Sequence, residues 1–523
     1  MLLPPYPLDQ QPAVRPLTNP NEWTAFFNYI REHLRGASPR HDKSPLNSIV
    51  EVLNTHACSC VVVEHLYEDE HALYDYLHDH ARAFCDMERR CLRAHFFAGP
   101  PLTCEALTSE LLQDWSEGAA GERKYLGYVV FRATGQHCVG RTVIRSPANL
   151  GPNFEVISSP FTARLCGAKL HVPGTPFMES DLSSHVCAGA ALWMLCEDLH
   201  HRYRTRRLFP RQVTEIATGD LSLRTGLEYL TQPQMARVLR HLNCSVHQKY
   251  WRQESEPDDE IRRVRDMANF VCGYVQSGIP VLIGYCAVGD KFGHVVLAVG
   301  HGLADKKAWP LLTHKDAAID PRELVSDYVQ DLLVHNDSRG PYRRLPIWRS
   351  AGASLSRSAK DAGWTLQDAS YVHAMAAVAA PARMVYEHAL AVALRTFLLN
   401  ADPTRELGNA RLRTYLQLAP RFRELLLDTG RGRTPMSPRH TDVYLRMTLP
   451  RYIYVCDICR ESTDVGRPLR AVGEIVIDGT SPPFDLNDNS NLPAAVLTLR
   501  LGRRLWVRGT AQPILADAYP EHP

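Results

Sequence analysis

Cys187 stands where the polar stretch 179–185 gives way to Ala188-Gly189-Ala190-Ala191-Leu192-Trp193-Met194-Leu195, a run with the composition of a buried helix. A helix N-terminus offers unpaired N–H groups and the positive end of the helix dipole, and both favour thiolate over thiol. The position therefore predicts a nucleophile. A reactive thiolate needs an imidazole partner, and the imidazole needs an acceptor that fixes its tautomer. His294, which follows Gly293 and opens Val295-Val296-Leu297-Ala298-Val299, suits the first role. Asp337, in His335-Asn336-Asp337-Ser338-Arg339-Gly340-Pro341-Tyr342, suits the second. Cys187 and His294 are 107 residues apart and His294 and Asp337 are 43 apart, so only the tertiary fold can assemble such a triad.

The elements around these residues give the middle of the chain, 151–350, a mixed character. Helices are expected from Cys187 onward, at 211–218, at 231–242 and at 260–276, with a turn at Gly278. The apolar runs 279–285 and 294–299, separated by Gly289-Asp290-Lys291-Phe292-Gly293, read as a hairpin, which places His294 at the start of the returning strand.

The first segment, 1–150, reads as an α/β module: strands at 58–65, 93–97, 125–131 and 139–144, helical spacing over 69–93, and a short helix from Thr103 to near Trp115. A Ser/Ala/Arg/Gly stretch at 350–363 reads as a linker. Beyond it, 351–523 is expected to form helices over 371–399 and 411–427, a loop at 430–439, and strands at 451–458, 471–477 and 495–501. The fold class expected is thus α+β, with a catalytic core flanked by an N-terminal α/β module and a C-terminal helical and β region.

The chain of 523 residues exceeds one ordinary core. A 45% hydrophobic and 22% charged composition is that of a folded globular protein. Lys+Arg 59 against Asp+Glu 57 leaves a net charge of +2, which supplies no field for nucleic acid or an anionic membrane. The sequence near Met1 has no basic n-region, and the most apolar stretch, 374–399, is broken by Pro381, Arg383, Glu387, His388 and Arg395. A cytoplasmic protein without a membrane span is expected. The fourteen cysteines are scattered and are expected to be buried small hydrophobes rather than a disulfide framework.

Several clusters invite a metal reading. Cys456 and Cys459 have knuckle spacing without a second pair; Cys196 and His200 lie one helical turn apart beside Glu197, Asp198 and His201; and His78-Asp79-His80 is a short ligand-rich run. Each is expected to be structural or solvated, because a closed zinc site takes four ligands. Arg202, Arg204, Arg206 and Arg207 with Tyr203 and Phe209 are expected to form a solvated face. There is no phosphate-loop, nucleophile-elbow or zincin motif, so neither cofactor nor metal is expected.

The order and context of Cys187, His294 and Asp337 resemble the papain-like cysteine peptidases, in particular the bacterial branch that processes bacteriocin leaders. The resemblance rests on Cys187 before a small-residue apolar helix, Gly278-Ile279-Pro280-Val281-Leu282-Ile283-Gly284 ahead of Gly293-His294-Val295-Val296-Leu297, and Asp337 to Pro341. It implies a two-lobed core in which Cys187 is the nucleophile, His294 its partner and Asp337 the orienting acid. The family places an oxyanion-hole Gln about six residues before the cysteine; here that place holds Asp181, and no Gln occurs at 137–211. The Cys187 N–H with Ser180, Ser183 or Ser184 are the alternative donors. The resemblance implies hydrolysis of a peptide or isopeptide bond in a protein or peptide substrate. Acyl transfer to an amine by the same triad, of transglutaminase type, and an inactive interaction scaffold of the same fold are the alternatives.

Overall fold

A computed structural model describes residues 13–39, 45–77, 88–100, 123–151, 153–180, 187–219, 230–287, 293–304, 323–348, 365–379, 384–400, 410–427, 436–461, 469–481, 493–510 and 512–515. Its architecture is α+β, built on antiparallel sheets. The expected helix after Thr103, the linker at 350–363 and the run His78-Asp79-His80 lie outside these residues.

The N-terminal part begins with β1 (Ala13–Pro16), α1 (Pro20–His33), α2 (Leu46–Thr55), β2 (Cys58–Tyr67) and α3 (Glu70–Asp75), and continues with β3 (Cys91–Ala98), β4 (Lys124–Phe131) and β5 (Val139–Ile144). These five strands pair in chain order, every neighbour antiparallel. The α/β reading of this part is therefore corrected to α+β: an α/β unit needs parallel strands joined by crossover helices, and here successive strands simply double back. α1 is stopped at its N-terminus by a capping box in which Asn19 and Glu22 satisfy each other's backbone N–H groups.

A central sheet follows, assembled from β6 (Phe154–Val156), β9 (Ser245–Arg252), β10 (Val281–Ala287), β11 (His294–Leu303), β13 (Val329–Asn336), β14 (Gly340–Pro346) and β15 (Ala369–Val378). Its order is β14-β13-β11-β10-β15-β9, with β6 added to β11. The hairpin β7 (Ser159–Leu165) and β8 (Ala168–Gly174) precedes the helices α4 (Cys187–Tyr203), α5 (Pro210–Thr218), α6 (Gln232–His241) and α7 (Pro257–Gln276).

The central sheet is covered on both faces, which explains why its strands read as unbroken apolar runs. On one face Val295, Leu297, Val299, Leu282 and Met375 join α4, α5, α6 and the N-terminal sheet in a single core. On the other, Val296, Ala298, Ile283, Ala374 and Ala376 join α7 and the C-terminal elements in a second. The C-terminal elements are β12 (Glu323–Leu324), α8 (Tyr386–Asn400), β16 (Arg411–Leu418), α9 (Ala419–Leu427), α10 (Pro438–Arg446), β17 (Tyr452–Glu461), β18 (Leu469–Asp478), β19 (Val496–Leu501), β20 (Arg504–Val507) and β21 (Ile514–Leu515), of which α9, α10 and β21 pack in a separate core with Phe422, Leu426 and Tyr444. The strands form a sheet in the order β12-β16-β17-β18-β19-β20-β21.

Two expected helices are corrected. Among the described residues of 371–399 the helix is confined to Tyr386–Asn400, and Ala369–Val378 is an interior strand between β10 and β9. Within 411–427 the first half is β16, paired with β17, and the helix begins at Ala419. Since β15 lies past residue 350, the chain returns to the central sheet after the expected domain boundary. Among the described residues no helix is long and apolar enough to cross a membrane.

Candidate active site

α4 starts at Cys187, and its buried residues run from Ala188 to Leu199 without a polar stripe until Glu197. This burial holds the helix against β11, so its first residue is carried to the end of the sheet where β11 begins. That first strand residue is His294. The thiol of Cys187 hydrogen-bonds to the His294 ring.

The approach to Cys187 is anchored along β5. Phe177 and Thr142 exchange backbone hydrogen bonds of 2.8 and 2.9 Å, and Glu179 N–H donates to Val139 O at 3.1 Å. The Glu179 carboxylate is buried, accepts from the Val139 N–H at 3.0 Å and lies 3.1 Å from His137 Nδ1. Burial pushes its carboxyl up from the ordinary value despite these partners.

The other side of His294 is held by the β13–β14 turn. Asn336 Oδ1 accepts from His294 Nε2 at 3.2 Å. The same oxygen accepts from the backbone N–H groups of Ser338 and Arg339, each at 3.1 Å, and from Ser338 Oγ at 2.8 Å. Two backbone donors identify this atom as the amide oxygen rather than the nitrogen, so Nε2 must carry the proton. Asp337 Oδ1 lies 3.5 Å from the same Nε2 in a carboxylate that is 1% exposed, and among the described residues this oxygen has no hydrogen-bond partner. The geometry therefore brings Cys187, His294 and Asp337 together and adds Asn336, which the sequence reasoning passed over. An Asn followed by Asp-Ser-Arg-Gly is the signal that was available, since Asn at the head of a turn turns its side chain onto the backbone two residues on.

The charge state of His294 follows from these neighbours. Its burial disfavours the cation, but the hydrogen bond with Cys187, the charge of Asp337, the charge of Cys187 and the bond to Asn336 outweigh it and hold the ring up at about 9. At neutral pH the site thus favours the protonated ring, beside a sulfur at a helix N-terminus.

Local sterics support the placement. Gly293 is followed directly by His294, and a methyl group on it would stand 2.7 Å from the Tyr371 hydroxyl and 3.2 Å from Tyr285 O. Tyr285, opposite His294 in the β10–β11 register, meets its ring edge-on at 5.8 Å. Gly340 has a φ of +110°, and a side chain there would meet Ser48 Cβ at 2.3 Å. Tyr342, two residues on, has a φ of +54°. Its hydroxyl donates to Ile144 O at 3.1 Å and accepts from Thr175 N–H at 3.2 Å, pinning the turn to the N-terminal sheet.

The neighbouring histidines are structural. His335 is fully buried against Phe177 and Tyr342, donates Nδ1–H to Pro176 O at 3.0 Å, and is pushed by burial down to about 3. His301 is buried at the far part of β11, near Gln276 and Glu155. His185 lies outside the described residues, as do Asp181, Ser183 and Ser184.

The remaining candidate clusters are engaged elsewhere. Cys196 is buried and its thiol is raised by desolvation, while His200 Nδ1 bonds Thr205 O at 2.6 Å. Arg207 bridges Glu70 and Glu197, and Arg202 donates to Ser159 Oγ and Gly278 O and lies 3.3 Å from Asp198, so these two do not form the solvated face expected of them. Cys456 packs into the second core with its thiol pushed up by burial to about 12. Among the described residues no group of three or more His, Cys, Asp or Glu is placed to share a metal ion.

No family model matches this chain, and no curated protein matches it significantly.

Proposed function

We propose that the chain is a papain-like thiol hydrolase that cleaves a peptide or isopeptide bond. The observation that supports this reading best is the thiol of a helix-N-terminal cysteine hydrogen-bonded to an imidazole whose far nitrogen is fixed by Asn336 and Asp337.

Transfer of the Cys187 proton to His294 gives a thiolate and an imidazolium, and the Nε2–H held by Asn336 and Asp337 orients the ring for it. The sulfur adds to the substrate carbonyl carbon. The Cys187 N–H, at the helix start, serves in this reading as a donor to the developing oxyanion. As the tetrahedral species collapses, His294 returns its proton to the leaving nitrogen, the C–N bond breaks, and a thioester on Cys187 remains. Water, deprotonated by the now neutral His294, attacks the thioester; the acid product leaves and the thiol is restored.

The test is product analysis with a peptide mixture, comparing the unaltered protein with Cys187→Ala. New N-termini that vanish in the variant support the reading. Amide products formed with added glycine ethyl ester in place of free acids would assign the site to acyl transfer, and intact peptides with a folded protein would point to a scaffold.

A further inference from the structure

The face of the central sheet that α4 covers continues past the helix start. Pairing fixes which residues lie on it: Val295 is opposite Gly284, Gly284 opposite His373, and His373 opposite Tyr250. One step nearer the strand ends, Cys286 is opposite Tyr371, and Tyr371 opposite Arg252. Paired residues share a face, and so do residues two apart along a strand. Val295 and Met375 belong to the core beneath α4. The row from Cys286 to Arg252 therefore extends the same face beyond the end of the helix that bears Cys187.

Three side chains shape this strip. Tyr250 and Tyr371, diagonal neighbours across β9 and β15, stack with ring centroids 6.0 Å apart and planes 26° apart. Tyr250 remains 45% exposed, unusual for a large aromatic residue on a sheet face. Arg252 donates Nε–H to the Tyr250 hydroxyl at 3.2 Å, and its guanidinium lies 5.6 Å from that ring. Arg252 has no carboxylate partner among the described residues, whereas Arg202, Arg207, Arg263 and Arg265 all have one. The shelf is contiguous with the reaction centre, because the Tyr371 hydroxyl crowds Gly293, the residue before His294.

Resting on the hydrolase reading above, we propose that Tyr371, Tyr250 and Arg252 form the subsite for the leaving-group side of the substrate, selecting an aromatic residue after the scissile bond followed by a carboxylate. His294 is the group that hands its proton to the departing amine, so chain leaving the carbonyl on that side runs over the residues next to His294. A flat ring gains most from the face of another aromatic pair, and the Arg252 guanidinium, which has no carboxylate partner among the described residues, supplies the charge that an acidic side chain or a terminal carboxylate requires. Arg252 stands at the outer end of the strip, on the edge strand β9, so the carboxylate lies further from the scissile bond than the ring.

Two quenched-fluorescence peptides with the same acyl side, one continuing Phe-Asp and the other Gly-Lys, test the assignment. The expected result is about tenfold higher kcat/KM for the Phe-Asp peptide, narrowed to within about twofold in Tyr250→Ala and in Arg252→Ala. Cys187 alkylation and thermal melting, read in parallel, separate lost recognition from a damaged thiol–imidazole pair or a misfolded variant. Fluorescence anisotropy of the same two sequences on Cys187→Ala protein reads the subsite without turnover, so it stands even if no bond is cut. Equal rates and equal binding of the two peptides, or a preference that survives both substitutions, would overturn the proposal.

Discussion

Replacing His294 by Ala should make Cys187 lose its advantage over ordinary thiols. The ring is held at about 9 against an ordinary 6.5, and that difference corresponds to about 3 kcal/mol of preference for the cation, part of it supplied by the hydrogen bond and charge of Cys187. Coupling is reciprocal, so the imidazolium favours thiolate as the sulfur favours imidazolium. A cation at hydrogen-bond distance favours the ionised form of a neighbouring acid, commonly by about 10- to 1000-fold. Part of this returns through the greater intrinsic nucleophilicity of a more basic sulfur. The net expectation is a fall of about tenfold in iodoacetamide labelling of Cys187 at pH 6 on His294→Ala. The sign of the pH dependence is fixed by the raised value: the imidazolium is present below about 9 and lost above it, so the difference between the two proteins should close as pH passes about 9. Mass-spectrometric mapping supplies internal controls. Cys58, Cys91, Cys138 and Cys456 are buried with thiols pushed up to about 12 and should stay unlabelled, while Cys166 is the exposed competitor among the described residues. Labelling of Cys187 no faster than Cys166 at pH 6, or a rate indifferent to His294→Ala, would refute the ion-pair reasoning.

Asp337→Asn removes a charge that raises His294, so the alkaline limb of kcat/KM should move from about 9 toward 6.5; an unmoved limb would show that Asp337 does not act on the ring. Asn336→Ala takes away the acceptor of Nε2–H and unlatches the turn at Ser338 and Arg339, and a loss of about tenfold or more in kcat/KM is expected. His335→Ala should lower the melting temperature through lost packing on Phe177 and Tyr342 while leaving the alkaline limb in place, and a displaced limb would give His335 a catalytic part. Gly273→Ala would put a methyl group 2.2 Å from the Tyr386 ring, so destabilisation of about 1–3 kcal/mol is expected in urea unfolding, and an unchanged midpoint would contradict the packing of α7 on α8. Cys456→Ser with Cys459→Ser should leave zinc content unchanged by elemental analysis, and one equivalent of zinc lost with unfolding would contradict the structural role of the pair.

Much of the site was legible because its parts are local signals. The small-residue helix start at Cys187 and the Gly293-His294 strand start are readable from periodicity and turn chemistry, and both elements form where expected. Asn336 was missed because its role depends on which way a turn side chain points: its amide oxygen is committed to Ser338 and Arg339, which only the three-dimensional turn reveals. The misread helix over 371–378 has a related cause. Its Ala and Met residues are strong helix formers, yet in an interior strand they are buried on both faces, where α4 and α7 approach and alternation is erased. In β16 the alternation of Arg411, Leu412, Arg413 and Thr414 was present, but the helix that follows at Ala419 extended the apparent helical pattern backward over it. The α/β reading of the N-terminal part failed because strand direction, unlike strand existence, is set by pairing partners that the sequence does not mark.

The most direct measurement is the covalent one. Incubating the protein with a peptide p-nitrophenyl ester, quenching in acid and mapping the adduct by mass spectrometry should find one acyl group, on Cys187, released by hydroxylamine as a thioester is. It should be absent from Cys187→Ala and should form more slowly in His294→Ala. An acyl group on Cys166 or on lysine, or no acyl group on a protein shown to be folded, would contradict Cys187 as the nucleophile.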